Sequence, residues 1–167
     1  MPGPGFIHLH VHSAYSLLEG ALPLAKLLDL AKYDKQPAFG IADTNNLFGA
    51  LEFSEKAAGK GLQPLLGAEL AVDFADSEPT RPNDRHNFGK GGLVFMAGSP
   101  TGFANLTKLV SRAYLEGESG RAQALFDWLD RENTEGIICL SGGPEGAIDP
   151  ILAAGLEAQG LARLERL

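Results

Sequence analysis

"HLHVHS", residues 8–13, sets three of the chain's four histidines, His8, His10 and His12, at alternate positions of one short run. Leu9 and Val11 lie between them, and Phe6 and Ile7 precede them. Apolar and polar residues in strict alternation read as a β-strand, in which residues two apart point to one face. The spacing therefore predicts three imidazoles on a shared face.

Outward from that run, strands and helices alternate. Residues 13–20 form a turn region. A helix is predicted over 22–33, with Leu24, Leu27, Leu28 and Ala31 on one stripe. Gln36 and Pro37 break it, and 38–42 reads as a short buried strand. A second helix over 47–60, with Leu47, Leu51, Ser54 and Ala58 aligned, closes on Gly59 and Gly61. Residues 64–72 form a third strand. The stretch 73–91 is polar, rich in Pro and Gly and without period, so it reads as a surface loop. A strand over 93–97 then leads through Ser99-Pro100 into a helix to residue 115, with Leu106, Leu109, Val110 and Ala113 inward. After a loop at 117–120 come a short helix over 126–131, a strand over 136–140, the SGGPEG turn, and a helix over 148–167 that shows no stop signal.

This order predicts an α/β fold with a parallel sheet, open or closed as a barrel. About five strands are visible, whereas a complete barrel of this kind takes about 250 residues. The 167 residues therefore read as the first part of one domain, with an open sheet edge that favours self-association.

The net charge of −7 argues against a nucleic-acid groove, which is normally basic. A single cysteine, Cys139, allows no internal disulfide. With no secretory leader, this suggests a reducing, cytoplasmic setting. No segment approaches the roughly 18 apolar residues of a membrane span.

Parallel α/β folds gather their sites at the carboxyl ends of strands. There the sequence offers His10, His12 and then Glu19; Asp43, Thr44 and Asn45; Glu69; Ser99; and Ser141. Imidazoles and carboxylates on one rim are the ligand types for zinc, manganese or iron. Several such cations together would activate water for phosphate-ester hydrolysis. The plainer readings are that Asp43 caps the following helix or orients a neighbour, and that Ser141-Gly142-Gly143 is an ordinary tight turn rather than a phosphate cradle. Trp128 and Tyr114 read as packing residues, Cys139 as an inert core thiol, and His86 as a surface residue.

The segments FIHLHVHSAYSLLEGA (6–21), IADTNNLFGALEFSEKA (41–57), PLLGAEL (64–70), GFANLTKLVSRAYLEG (102–117) and GIICLSGGPEG (136–146) resemble, in family order, the PHP (polymerase and histidinol phosphatase) domains. The likeness is to those at the front of bacterial replicative DNA polymerase III alpha subunits, proteobacterial type. The resemblance implies a PHP-type distorted (β/α)7 TIM-like barrel, here about its first five strands. It also implies a trinuclear metal cleft where the ligand set is intact. Some members are metal-dependent 3′–5′ exonucleases. Others lack the metals and serve as scaffolds that dock the proofreading exonuclease subunit.

On the family pattern, the H-x-H pair matches His10 and His12, the loop acid Glu19, and the later glutamate Glu69. His8 stands where many members have aspartate. Thr44, within ADTNN, and Gly92 stand where metal-binding members have histidine. Losing two imidazoles removes strong neutral ligands, so the resemblance implies a vestigial site on His10, His12, Glu19 and Glu69, rimmed by His8, Asp43, Thr44 and Gly92, with no catalytic residue of its own. A residual Zn2+ or Mn2+ is the cation such a site would keep. The parent polymerase would use Mg2+, bind DNA and work with the other holoenzyme subunits. The competing expectation is an active metal-dependent phosphoesterase. A free-standing binding module unrelated to replication is the third, and the replicase-like segments beyond residue 100 argue against it.

Overall fold

The computed structural model describes residues 5–76, 90–117 and 122–167, apart from the Lys90 side chain. His86 and most of the loop predicted at 73–91 lie outside them. The first helix, α1 (Leu24–Tyr33), buries Leu24, Leu27, Leu28 and Ala31, the stripe that the spacing predicts. Strand β1 (Ala38–Thr44) is buried on both faces over its first six residues, as a strand inside a covered sheet is. Helix α2 (Ala50–Gly59) differs from expectation. Its inner face is Ala50, Phe53 and Ala57, while Leu51 is 72% exposed. Phe53 is the helix's largest apolar group, and its packing near Phe39, ring centroids 6.3 Å apart, fixes the rotation.

Next come β2 (Gln63–Asp73), β3 (Lys90–Ala97) and α3 (Pro100–Glu116). Ser99 caps α3 by accepting from the Gly102 amide at 3.0 Å. Two residues the sequence does not reveal as a strand, β4 (Ala124–Leu125), pair with β2. The predicted helix over 126–131 resolves into a 3-10 turn (Phe126–Trp128) and the short α4 (Arg131–Thr134). Trp128 is buried with the Arg112 guanidinium 4.1 Å from its ring centroid. Tyr114, expected to pack, is 56% exposed. Beyond β5 (Ile137–Leu140) and a 3-10 turn (Gly143–Glu145), the single helix predicted over 148–167 is two, α5 (Asp149–Ala153) and α6 (Glu157–Arg166). They are divided at Gly155, which takes φ 78°, a left-handed conformation that ends helices.

The sheet is mixed, not parallel. β1 and β2 run parallel, but β3 runs antiparallel to β2, and β5 antiparallel to β3. No helix lies in the described chain between β2 and β3, and antiparallel neighbours need no crossover helix. The reversal puts the carboxyl end of β3, with Ser99, at the rim opposite that of β1 and β2. β5 is an edge strand, so Cys139 is exposed rather than in the core. Enough protein still surrounds its sulfur that desolvation pushes the thiol up to about 11. One face of the sheet packs on α3 through Leu70, Val72, Leu93, Phe95, Leu106 and Leu109.

The histidine run is the other correction. Residues 8–12 are extended but form no regular strand. Two hydrogen bonds tie the run to β1, Gly40 N to His8 O at 2.7 Å and Ala42 N to Val11 O at 3.0 Å. Two residues of β1 thus oppose three of the run, the geometry of a bulge. The bulge breaks the alternation between His8 and His10. His8 stacks edge-on between Phe6 and Phe39, while His10 and His12 turn to the other side. Gly40 permits the crossing: a Cβ there would lie 2.7 Å from the Leu9 carbonyl oxygen.

Candidate metal centre

His10 and His12 meet Glu69. The Glu69 Oε2 lies 2.7 Å from His10 Nε2 and 3.1 Å from His12 Nε2, and the two Nε2 atoms are 3.2 Å apart. Glu69 sits mid-strand in β2, in register with Thr44 of β1 and Val94 of β3. Its backbone is also fixed beyond Thr44, where the Asn45 amide donates to the Glu69 carbonyl at 2.7 Å. The hydrogen bond from His10 holds the Glu69 carboxyl below its usual value, against the opposing effect of partial burial.

The other predicted residues are arranged around these three. Glu19 faces the far side of the His12 ring, its Oε2 3.4 Å from Nδ1, and also accepts a hydrogen bond from the Thr44 hydroxyl. Glu19 therefore belongs outside the convergent group, where a carboxylate on Nδ1 directs Nε2 inward. Gly92 offers no side chain and lies beside Glu69: a Cβ at 92 would stand 2.5 Å from Glu69 Oε1. His8 is turned away, and Ser99 is at the opposite rim. Ser141 is exposed at the near rim, where the chain turns through Gly142 and bridges Gly146 to Gly92.

Asp43 does not cap α2, whose N-terminus at Gly49 has no side-chain cap. It is 2% exposed and accepts from Ser13 N at 2.7 Å, Ser13 Oγ at 2.8 Å and Ser16 Oγ at 2.6 Å. Ser16 Oγ in turn accepts from the Thr44 amide at 3.0 Å. This buried lock fixes the loop that carries Glu19. Gly20 closes it, since a Cβ there would lie 1.8 Å from the Ser13 carbonyl oxygen. Ser13 and Ser16 are the site residues the sequence reading missed. Their only signal was two serines three apart directly after H-x-H.

Chemically, three lone-pair atoms converge where only shared protons or a cation can separate them. His10, His12 and Glu69 are the one group among the described residues whose donor atoms all approach within 4.8 Å. Two imidazoles and a carboxylate are a donor set suited to zinc or another borderline divalent cation. The set fits one cation. Thr44 donates its hydroxyl to Glu19 and position 92 has no side chain, so neither adds an imidazole to the group. No described helix is long and apolar enough to cross a membrane.

The sequence is matched by a family model described as "PHP domain" over residues 8–167. It is similar to the DNA polymerase III subunit alpha of Caulobacter vibrioides (strain NA1000 / CB15N), 40% identical over 166 residues, 99% of this chain and 14% of that one. It is also similar to the subunit of the same name from Treponema pallidum (strain Nichols), 37% identical over 152 residues, 90% of this chain and 13% of that one. Among solved structures, an amidohydrolase from Chromobacterium violaceum superposes with a TM-score of 0.47 at 21% identity, covering 96% of this chain and 54% of the other. The chain thus spans about a seventh of the length of these polymerase subunits.

Proposed function

The chain belongs to the PHP domain family, and from that premise we propose that residues 1–167 are the amino-terminal part of one such domain, at the front of a cytoplasmic replicative DNA polymerase alpha subunit. In this reading the longer protein performs DNA-templated nucleotidyl transfer with Mg2+, and its catalytic carboxylates lie outside this stretch. The PHP portion holds at most one Zn2+ or Mn2+, catalyses nothing itself, and acts as scaffold and docking module for the proofreading exonuclease subunit within the holoenzyme.

One observation carries the reading: the donor set stops at three atoms, with Thr44 and Gly92 supplying none. A bound cation would supply Lewis acidity and lower the pKa of a bound water. His10, His12 and Glu69 would hold it, and Glu19 would keep the His12 ring in place. A second cation, needed to clamp both oxygens of a phosphoryl displacement, would have no second group of three such donors to hold it among the described residues.

Elemental analysis of the chain, purified without chelator and then offered zinc and manganese, is expected to give no more than one cation per chain. Two or three tightly held cations would put the alternative, an active phosphoesterase or 3′–5′ exonuclease, first. His10→Ala and His12→Ala are expected to leave the release of nucleotides from a DNA 3′ end at the background of the unsubstituted chain. A clear loss of metal-dependent hydrolysis in either variant would overturn the scaffold reading. Pull-down of the exonuclease subunit by the full-length polymerase, but not by one lacking residues 1–167, is the expected result for docking.

A further inference from the structure

The loop that carries Glu19 also carries two leucines into solvent. Leu17 is 83% exposed and Leu18 fully so. One exposed leucine is ordinary, but these two stand beside further large apolar groups. Phe48 and Leu51, three apart at the start of α2, are each 72% exposed. Tyr15, itself exposed, joins the two pairs. A Cβ at Gly49 would lie 2.8 Å from its ring, its hydroxyl donates to Glu52 at 2.9 Å, and its carbonyl accepts from Asn46 Nδ2 at 3.2 Å. The leucines are also held outward. The Ser16 amide donates to the Ser13 carbonyl at 2.9 Å and the Gly20 amide to the Ser16 carbonyl at 2.8 Å, while buried Asp43 ties both serines. Between these ties Leu18 takes φ 71°, the left-handed region that a bulky residue rarely adopts. Sparsely populated backbone conformations of this kind collect at binding sites. A loop fixed in this way does not fold its leucines back, so a partner meets a surface already ordered.

The rim of the patch is acidic. Residues 13–20 and 44–56 contain Glu19, Glu52 and Glu55 against one cation, Lys56, and Lys56 is paired with Glu52 at 2.5 Å. That sign repels a phosphate backbone. It complements an apolar protein segment flanked by lysine or arginine. We propose that Tyr15, Leu17, Leu18, Phe48 and Leu51 form the surface on which the proofreading exonuclease subunit docks, seating such a segment of it. The inference rests on the scaffold reading above and gives it a place, the loop and helix end beside Glu19 and Thr44.

The test uses the full-length polymerase and the purified exonuclease subunit. Leu17→Ser/Leu18→Ser is expected to weaken their binding by about tenfold or more, as loss of central apolar contacts does. Glu55→Lys is expected to slow association, most at low salt. The Leu17 and Leu18 amides donate to no backbone acceptor among the described residues, so in the unsubstituted polymerase they should exchange hydrogen fast until the exonuclease is added, and slowly afterwards. An affinity for Leu17→Ser/Leu18→Ser within about twofold of the parent's, the range of an ordinary surface change, overturns the proposal. Protection elsewhere in 5–167 would then keep the docking reading on another surface, and protection nowhere in it would end both. Slow exchange at Leu17 and Leu18 before the exonuclease is added would show that another part of the polymerase covers the patch, and overturns it. A polymerase dimer lost in the double variant would assign the patch to a second copy, and also overturns it. Should Leu17→Ser/Leu18→Ser not fold, the exchange pattern of the parent complex decides.

Discussion

Asp43→Ala is expected to destabilise the chain by about 3 kcal/mol and to release the loop that carries Glu19 from its place beside His12. The carboxylate is almost fully buried and accepts three hydrogen bonds, from the Ser13 amide and the Ser13 and Ser16 hydroxyls. Bonds to a charged acceptor contribute about 1.5–3 kcal/mol each, and donors left unmet in the interior carry their own penalty. Asp43→Asn, which keeps one acceptor oxygen, should lose less. Urea unfolding measures both. A loss for Asp43→Ala no larger than that of an ordinary surface change, about 0.5 kcal/mol, would show that the loop is held by something else. The zinc affinity of a folded Asp43→Ala chain should fall with it.

Asp76→Ala is expected to cost a similar amount for a different reason. Arg163, on α6, is 1% exposed. Its Nε and Nη2 donate to the two Asp76 oxygens at 2.7 and 2.5 Å, and Nη1 donates to the Ala147 carbonyl at 3.0 Å. The guanidinium also lies 4.2 Å from the Phe74 ring centroid. Removing one partner of a buried pair costs about 3–5 kcal/mol because the other charge stays in the interior. Asp76 is partly exposed, which argues for the lower end.

The same pair predicts a pH dependence. Burial raises the Asp76 carboxyl, but the bonds and charge of Arg163 outweigh it and hold the group below its usual 3.8. A carboxyl depressed in the folded state stabilises the fold fully above its unfolded value and loses that contribution as pH falls through the folded one. The stability gap between the parent and Arg163→Met should therefore be constant above about pH 5 and shrink below pH 3.8. A gap that stays constant down to acid unfolding would show that the pair does not anchor α6.

The sequence made the local elements legible because each carries its own period. Leu24, Leu27, Leu28 and Ala31 mark α1 without reference to anything else, and so do Leu106, Leu109, Val110 and Ala113 for α3. The H-x-H pair and Glu69 could be named as one site through the family pattern, for Glu69 lies in mid-strand and the histidine run forms no regular strand. What stayed hidden depends on pairings between distant segments. The reversal of β3 is a property of the β2–β3 ladder, and nothing in GGLVFMA marks direction. The bulge that turns His8 away depends on Gly40, some thirty residues on, so alternation alone overstated the shared face. The burial of Arg163 in a charged helix became visible only once Asp76 and the Ala147 carbonyl were placed around it. Asp43 looked like a helix cap because its true partners, Ser13 and Ser16, precede it by a whole helix.

The two backbone hydrogen bonds that tie the histidine run to β1 have a kinetic consequence. Glu69 belongs to a strand paired on both sides, so its amide should exchange with solvent only on the slow timescale of sheet opening. The amides of residues 9–12 face no backbone acceptor among the described residues, and they should exchange orders of magnitude faster. The cluster is therefore stiff on its carboxylate side and soft on its imidazole side. The side chains of His10, His12 and Glu69 are 33%, 24% and 19% exposed, so a cation would reach them from solvent with the run in place, and exchange at the amides of 9–12 would report on the imidazole side alone.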